Sequence, residues 1–310
     1  MNQYLPEGAL MVSEKNGEYI SSLQGLERAL EEQAIIEAPA VMCDRDFNLH
    51  IEFPCGIRGI ISRCEVADTK IGEDIKDIAI LTRVGKIVAF KVLGFERRGD
   101  KKIAILSRRL AQRDCMLNYV SCLLPGDIIK AKITHIEGFG AFVDIGCGIT
   151  SLLSIDSISV SRIAHPSARL SVSDFIYTVV KSIDESGRIY VSERELLGSW
   201  EENAALFSEG QTVRGIIRSV ESYGVFVELT PNLAGLAEYR DDVYPGQVAA
   251  VYIKSIIPQK MKIKLIIIDA ENAILKTPPL EYFIDTANTK HIDFWKYSPK
   301  DADKTIETIF

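Results

Sequence analysis

The sequence predicts a mainly β protein, built from tandem five-stranded barrels with short connecting helices. Three observations predict it. Two segments align without a gap at an offset of about 84 residues, the scale of a small domain. Each copy divides into short β-branched runs separated by Gly, Asp and Ser turns. A fainter third copy lies upstream of both. Five short strands in about 75 residues suit a closed barrel, because closure removes the open edges of a sheet.

The elements follow in order. Residues 1–28 form an N-terminal extension, where Ser22 followed by Leu23, Leu26 and Leu30 predicts a capped helix. Residues 29–114 hold the faint copy. Its Gly59-Ile60-Ile61-Ser62 matches Ser151-Leu152-Leu153-Ser154, and its Lys102–Ser107 matches Arg188–Ser192. The middle copy spans 121–197, with strands expected over Ile128–Glu137, Ala141–Asp144, Ile149–Leu153, Phe175–Ile183 and Ile189–Ser192. Trp200–Phe207 combines helix formers with apolar spacing and predicts a connector helix, with Trp200 as a packing anchor. The third copy spans 206–276. In the tail, 277–310, Pro278-Pro279 breaks regular structure, while Tyr282, Phe283, Phe294, Trp295 and Tyr297 predict that it packs.

Composition narrows the function. At 310 residues, 47% hydrophobic and 25% charged, the chain reads as two or three globular domains. A net charge of −7 excludes a bulk-basic nucleic-acid binder, so any phosphate contact has to be made by a local face. Met1-Asn2-Gln3-Tyr4 lacks the features of a signal peptide, and apolar runs such as Leu265–Ile268 have strand length, not membrane-span length. Six scattered cysteines without a CxxC pair read as reduced thiols, which agrees with a cytoplasmic location.

The informative motif is Gly138-Phe139-Gly140-Ala141-Phe142, repeated as Ser222-Tyr223-Gly224-Val225-Phe226. Residues three apart on a regular strand point to opposite faces, so a bulge at the glycine is expected to bring the two rings to one side. Two rings on a barrel face make a stacking platform for bases, worth about 1–3 kcal/mol per base. Cations at the rim would hold the backbone: Lys130, Lys132 and Arg188 in the middle copy, and Arg214, Arg218, Lys254, Lys260, Lys262 and Lys264 in the last. The denser basic stretch makes the last copy the stronger electrostatic contributor. The first copy lacks the aromatic pair, with Phe47-Asn48-Leu49-His50-Ile51-Glu52-Phe53 in its place.

These residues, with Pro125-Gly126-Asp127, Ile163-Ala164-His165-Pro166, Gly187-Arg188-Ile189 and Leu236-Ala237-Glu238, resemble the S1 RNA-binding domain over roughly residues 29–276. The resemblance implies the oligonucleotide-binding barrel, single-stranded RNA (mRNA) as partner, and a role in translation or RNA turnover, with the ribosome as a further partner. By position, Phe139, Phe142, Tyr223 and Phe226 would be the stacking rings. Two departures stand out. Ser154 and Glu238 occupy the place where many family members carry a histidine, and Glu238 adds repulsion toward phosphate. The first copy resembles the degenerate leading domains of the family's ribosomal member, which implies docking or support.

No catalytic chemistry is predicted. His50, His135, His165 and His291 have no Cys or His at zinc-ligand spacing, and no Walker loop, GxGxxG or GxSxG occurs. His165 reads as a structural loop residue. The expectation is a non-catalytic, monomeric RNA binder without cofactor or membrane partner. The alternative is a ribosome- or protein-docking scaffold with weak or no RNA affinity.

Overall fold

Two capped helices precede the first barrel. Ser13 accepts a hydrogen bond from Asn16 N–H at the head of α1 (Glu14–Ile20), and Ser22 accepts one from Gly25 N–H at the head of α2 (Leu23–Glu31). Each satisfies an amide that the first turn leaves without a partner. The Leu23, Leu26 and Leu30 spacing does what it predicts: Leu26 is fully buried and Leu30 packs against the same core. The computed structural model describes residues 4–69, 74–99, 101–272 and 281–310.

The chain forms two compact units. The first runs to Leu123 and takes in Lys130–Lys132 and Asp144–Thr150; the second holds the rest. The first unit contains the barrel of β1 (Ile36–Cys43), β2 (Leu49–Glu52), β3 (Arg58–Ile61), β4 (Ile87–Arg98) and β5 (Lys101–Ser107). Its strands close in the order β1-β2-β3-β5-β4, with β3 and β5 parallel and β4 antiparallel to β1. Leu49, Ile51, Ile61, Phe90 and Leu106 fill the interior at two-residue spacing. Helix α3 (Asp77–Leu81) adds Ile80 to this core, and Ser107 caps α4 (Arg108–Asn118).

The middle barrel is β6 (Ile128–Glu137), β7 (Gly140–Asp144), β8 (Thr150–Ser154), β9 (Phe175–Ile183) and β10 (Ile189–Ser192). The third is β11 (Thr212–Glu221), β12 (Gly224–Thr230), β13 (Leu233–Ala237), β14 (Val248–Ile257) and β15 (Lys262–Glu271). Both close with the connectivity of the first, so the fold is mainly β with tandem five-stranded barrels. Three of the five strands expected in the middle copy have the observed limits, and the other two shift by one residue. The connector α5 stops at Ala204 (Trp200–Ala204), short of the expected Phe207; a capping box at Ser199 and Glu202 starts it. Trp200 is buried in the core of the third barrel.

The C-terminal segment packs, as its aromatics predict. Tyr282 donates to Glu193 Oε1 at 3.1 Å, and Tyr297 donates to the carbonyl of Asn232. His291 Nδ1 lies 2.7 Å from Asp127 Oδ1, and Trp295 joins the core of the third barrel. A two-stranded sheet of β16 (Phe294–Lys296) and β17 (Glu307–Ile309) completes it. Phe283 and Phe294 stay partly exposed. Pro278 and Pro279 lie outside the described residues. All six cysteine thiols are free, and among the described residues no helix is long and apolar enough to cross a membrane.

Candidate nucleic-acid interface

The paired aromatics do meet on one side, by a device other than the expected bulge at glycine. Glu221 pairs with Gly224 across β11 and β12, so Ser222 and Tyr223 form a two-residue hairpin turn. Tyr223 thus lies beyond the strand and escapes its alternation, and it folds back over Phe226, which lies within the strand. The rings sit edge to face at 6.1 Å and 87°. In the middle barrel Gly138 and Phe139 form the same turn, and Phe139 meets Phe142 at 6.0 Å and 88°. Tyr223 is 67% exposed and Phe139 56%, while their partners are half-buried. The bulge of this hairpin lies on the facing strand, between Ile217 and Ser219.

The glycines serve close packing instead. A Cβ on Gly140 would stand 2.4 Å from the carbonyl oxygen of Leu153, and one on Gly224 would stand 2.5 Å from that of Ala237. The next strand crosses there, and only a residue without a side chain admits it.

Strand register extends the site across the third barrel. Ser219 pairs with Phe226, Phe226 with Leu236, and Leu236 with Lys264. Directly paired residues share a face, so these four form one outward row. Lys262 and Lys264 alternate with the buried Ile263 and Leu265, which fixes them outward. Lys254 is exposed at the irregularity of β14 beside Ser255, which pairs with Lys264. Arg214 is exposed but pairs with Ala250, five residues along β11 from Ser219 and therefore roughly 15 Å off the row. Glu238 is exposed just past β13.

Arg218 has a different task from the one its sequence position suggests. It grips Glu228 with two hydrogen bonds, at 2.8 and 3.0 Å. Arg169 grips the same carboxylate with two further hydrogen bonds. Such a bidentate pair is strong and directional, and it commits the cation to the protein. Arg218 therefore positions the sheet and is not a mobile rim cation. Lys132 is likewise engaged, donating to the carbonyl of Glu7 at 2.7 Å; Lys130 is half-buried, and Arg188 is exposed at the entry to β10.

Two face residues escaped the sequence reading. His135 stacks on Phe142 at 6.3 Å and 20°, with Glu137 Oε1 2.7 Å from its Nε2. It aligns with Ser219, a match available from the repeat. Tyr190 pairs with Leu152 as Lys264 pairs with Leu236. The middle face is thus richer in rings and the third richer in cations. His165 keeps its structural role: its Nδ1 accepts from Ser167 N–H at the short turn Pro166–Ala168.

The first barrel carries the same row as Met42, His50, Ile60 and Ile105. His50 takes the place of Phe226, and Phe47, three residues earlier, takes that of Tyr223. Both are occupied. The Arg63 guanidinium lies 4.8 Å from the Phe47 ring centre, and Asp44 Oδ2 lies 2.9 Å from His50 Nε2. The hydrogen bond from His50, with others from the 46–48 turn, holds the Asp44 carboxyl down to about 2.

Residues 124–194 match the S1 RNA binding domain family. That match coincides with the middle barrel. Beyond it, the chain is 26% identical to small ribosomal subunit protein bS1 of Staphylococcus saprophyticus over 275 residues, covering 83% of this chain and 67% of that protein. It is 27% identical to the Bacillus cereus bS1 homolog over 81% of this chain and 64% of that protein. The chain therefore spans about two thirds of the length of these relatives. Among solved structures, a multidomain protein with nucleic acid binding domains from Streptococcus pneumoniae matches at 15% identity and a TM-score of 0.25, covering 76% of this chain and 74% of that one.

Proposed function

We propose that the chain binds single-stranded RNA without catalysis, through the aromatic faces of its middle and third barrels, in translation or mRNA metabolism. The observation that carries this reading is recurrence. The same edge-to-face pair stands on the same hairpin in two barrels, one of which matches the S1 RNA binding domain family. Exposed rings supply stacking surface to any base, and Lys254, Lys262, Lys264 and Arg188 supply phosphate contacts. Similarity to ribosomal proteins supports the ribosome as a further partner, a cytoplasmic site of action and mRNA as ligand. The protein acts as a monomer in this reading.

The test compares wild type with Phe142→Ala plus Phe226→Ala by fluorescence anisotropy on a 12-nucleotide RNA. Stacking of one base per ring predicts a loss of at least about 10-fold. Equal affinity would overturn the reading.

A docking scaffold is the second reading, favoured by the first barrel alone. Its Phe47 and His50 are already engaged by Arg63 and Asp44. In our reading that barrel docks or supports while the other two bind. Capture of ribosomes by a variant lacking both phenylalanines would assign docking to surfaces other than the aromatic faces.

A further inference from the structure

The third barrel's aromatic face does not open onto bulk solvent alone. The middle barrel sends residues 160–164 alongside it. Val160 N–H donates to Asn232 Oδ1 at 3.0 Å, and Ser161 N–H donates to the Pro231 carbonyl at 3.3 Å. The Asn232 amide in turn donates to the carbonyls of Arg194 and Gly198 at 2.8 and 2.9 Å, and Asn232 is fully buried. Glu228, buried with Arg169 and also gripped by the half-buried Arg218, ties the same two barrels together. The loop is thus held in place before any ligand arrives.

The result is a cleft of about 830 Å³ lined by both barrels. Tyr223 and Phe226 line it from the third barrel, and Arg162 lines it from the middle one. Lys260 and Lys262 line it as well, with Glu221 as the acidic residue beside them. Arg162, Lys260 and Lys262 are exposed and carry no ion pair among the described residues, unlike Arg218. Pockets for small ligands run from roughly 300 to 1,000 Å³, so the cleft has room for a nucleotide.

We propose that this cleft is a composite nucleotide pocket, in which Arg162 of the middle barrel grips the phosphate of the nucleotide whose base stacks on Tyr223 and Phe226. The two barrels then read one continuous strand as a single site. This rests on the RNA-binding reading above and adds to it a residue from outside the third barrel and a fixed strand path between barrels.

The test uses the full chain and a fluorescein-labelled 12-nucleotide RNA, titrated at several salt concentrations. Arg162→Ala is expected to weaken binding about 3- to 10-fold and to reduce the salt dependence by about one phosphate contact. Arg45→Ala, an exposed arginine on the first barrel, is expected to leave both unchanged. A double-mutant cycle of Arg162→Ala with Tyr223→Ala is expected to be non-additive, because both act on one nucleotide. Arg162 is exposed and carries no ion pair among the described residues, so its loss is expected to leave the fold intact. Wild-type affinity in Arg162→Ala, or an equal loss in Arg45→Ala, overturns the pocket. If the phenylalanine variants still weaken binding in that case, the RNA-binding reading survives without it. If wild type binds no RNA, both fall.

Discussion

At Gly224 a methyl group would stand 2.5 Å from a backbone oxygen of the neighbouring strand, and at Gly140 the distance would be 2.4 Å. Neither oxygen can swing away, because each belongs to a strand of a closed barrel. Gly224→Ala is therefore expected to cost about 1–3 kcal/mol, read as a lower urea midpoint, and to displace the Tyr223 turn. An unchanged midpoint would show that the strands part without cost. A second residue-scale feature lies in the first unit, where Glu7, Glu37 and Asp144 are buried together with Arg108, beside the half-buried Arg83. Three carboxyls face two guanidinium groups, so neutrality requires one proton. Burial tends to raise Glu7, but the Arg108 guanidinium outweighs it and holds Glu7 below the usual carboxylate range. Burial pushes Glu37 up to about 8 and Asp144 up to about 7. A carboxyl whose folded value is raised holds its proton better when folded. Its contribution is complete below the unfolded value near 4 and is lost as pH rises through the folded value. Stability is thus expected to fall between about pH 5 and pH 8. Glu37→Gln should flatten that slope, followed by urea midpoints across the range; a slope identical to wild type would assign the proton elsewhere.

Elements show a division between hairpins that present groups and a segment that braces them. The β11–β12 hairpin presents Tyr223 because its turn has two residues and its bulge sits on the facing strand. The C-terminal segment braces the barrels, with Trp295 and Tyr297 buried against the third and Tyr282 against the middle. Tyr282 donates to the buried Glu193, whose carboxyl burial pushes up to about 8. Trp295→Ala would remove a large ring from this core and is expected to cost about 3–5 kcal/mol in urea unfolding. A loss below 1 kcal/mol would mean that the segment rides on the barrel without supporting it.

For the whole molecule, the net charge of −7 and the proposed ligand look opposed. The opposition is resolved by distribution. Cations such as Arg113 and Arg240 are paired with neighbouring carboxylates, while Lys254, Lys260, Lys262 and Lys264 gather on one face of the third barrel with no ion pair among the described residues. In the proposed binding mode, unpaired cations such as these release counterions. RNA affinity is expected to fall with salt at a slope near −0.7 per phosphate contacted, for about three to five contacts. Mutating the third barrel's lysines should flatten the slope more than mutating Lys130 and Arg188. Salt-independent binding would leave stacking as the whole interaction.

Much of this was legible in the sequence for a definite reason. Strand alternation, turn residues and a repeat at fixed offset are local or self-referential signals, and they determine the barrels, the aromatic pairs and the degenerate first copy. Register is not local, and it decided the rest. Whether Arg218 meets phosphate or Glu228 depends on which residue β12 sets beside it and on Arg169 arriving from another barrel. Why Gly140 and Gly224 are glycine depends on the strand that crosses them, not on their own backbone. Arg162 carries no motif, and it lines the cleft with Tyr223 on a loop that Asn232 and Pro231 hold in place. The sequence by itself determined the kind of surface each barrel carries. Only the tertiary structure decided which charges remain available on it, because hydrogen bonds between distant segments determine which groups are already paired.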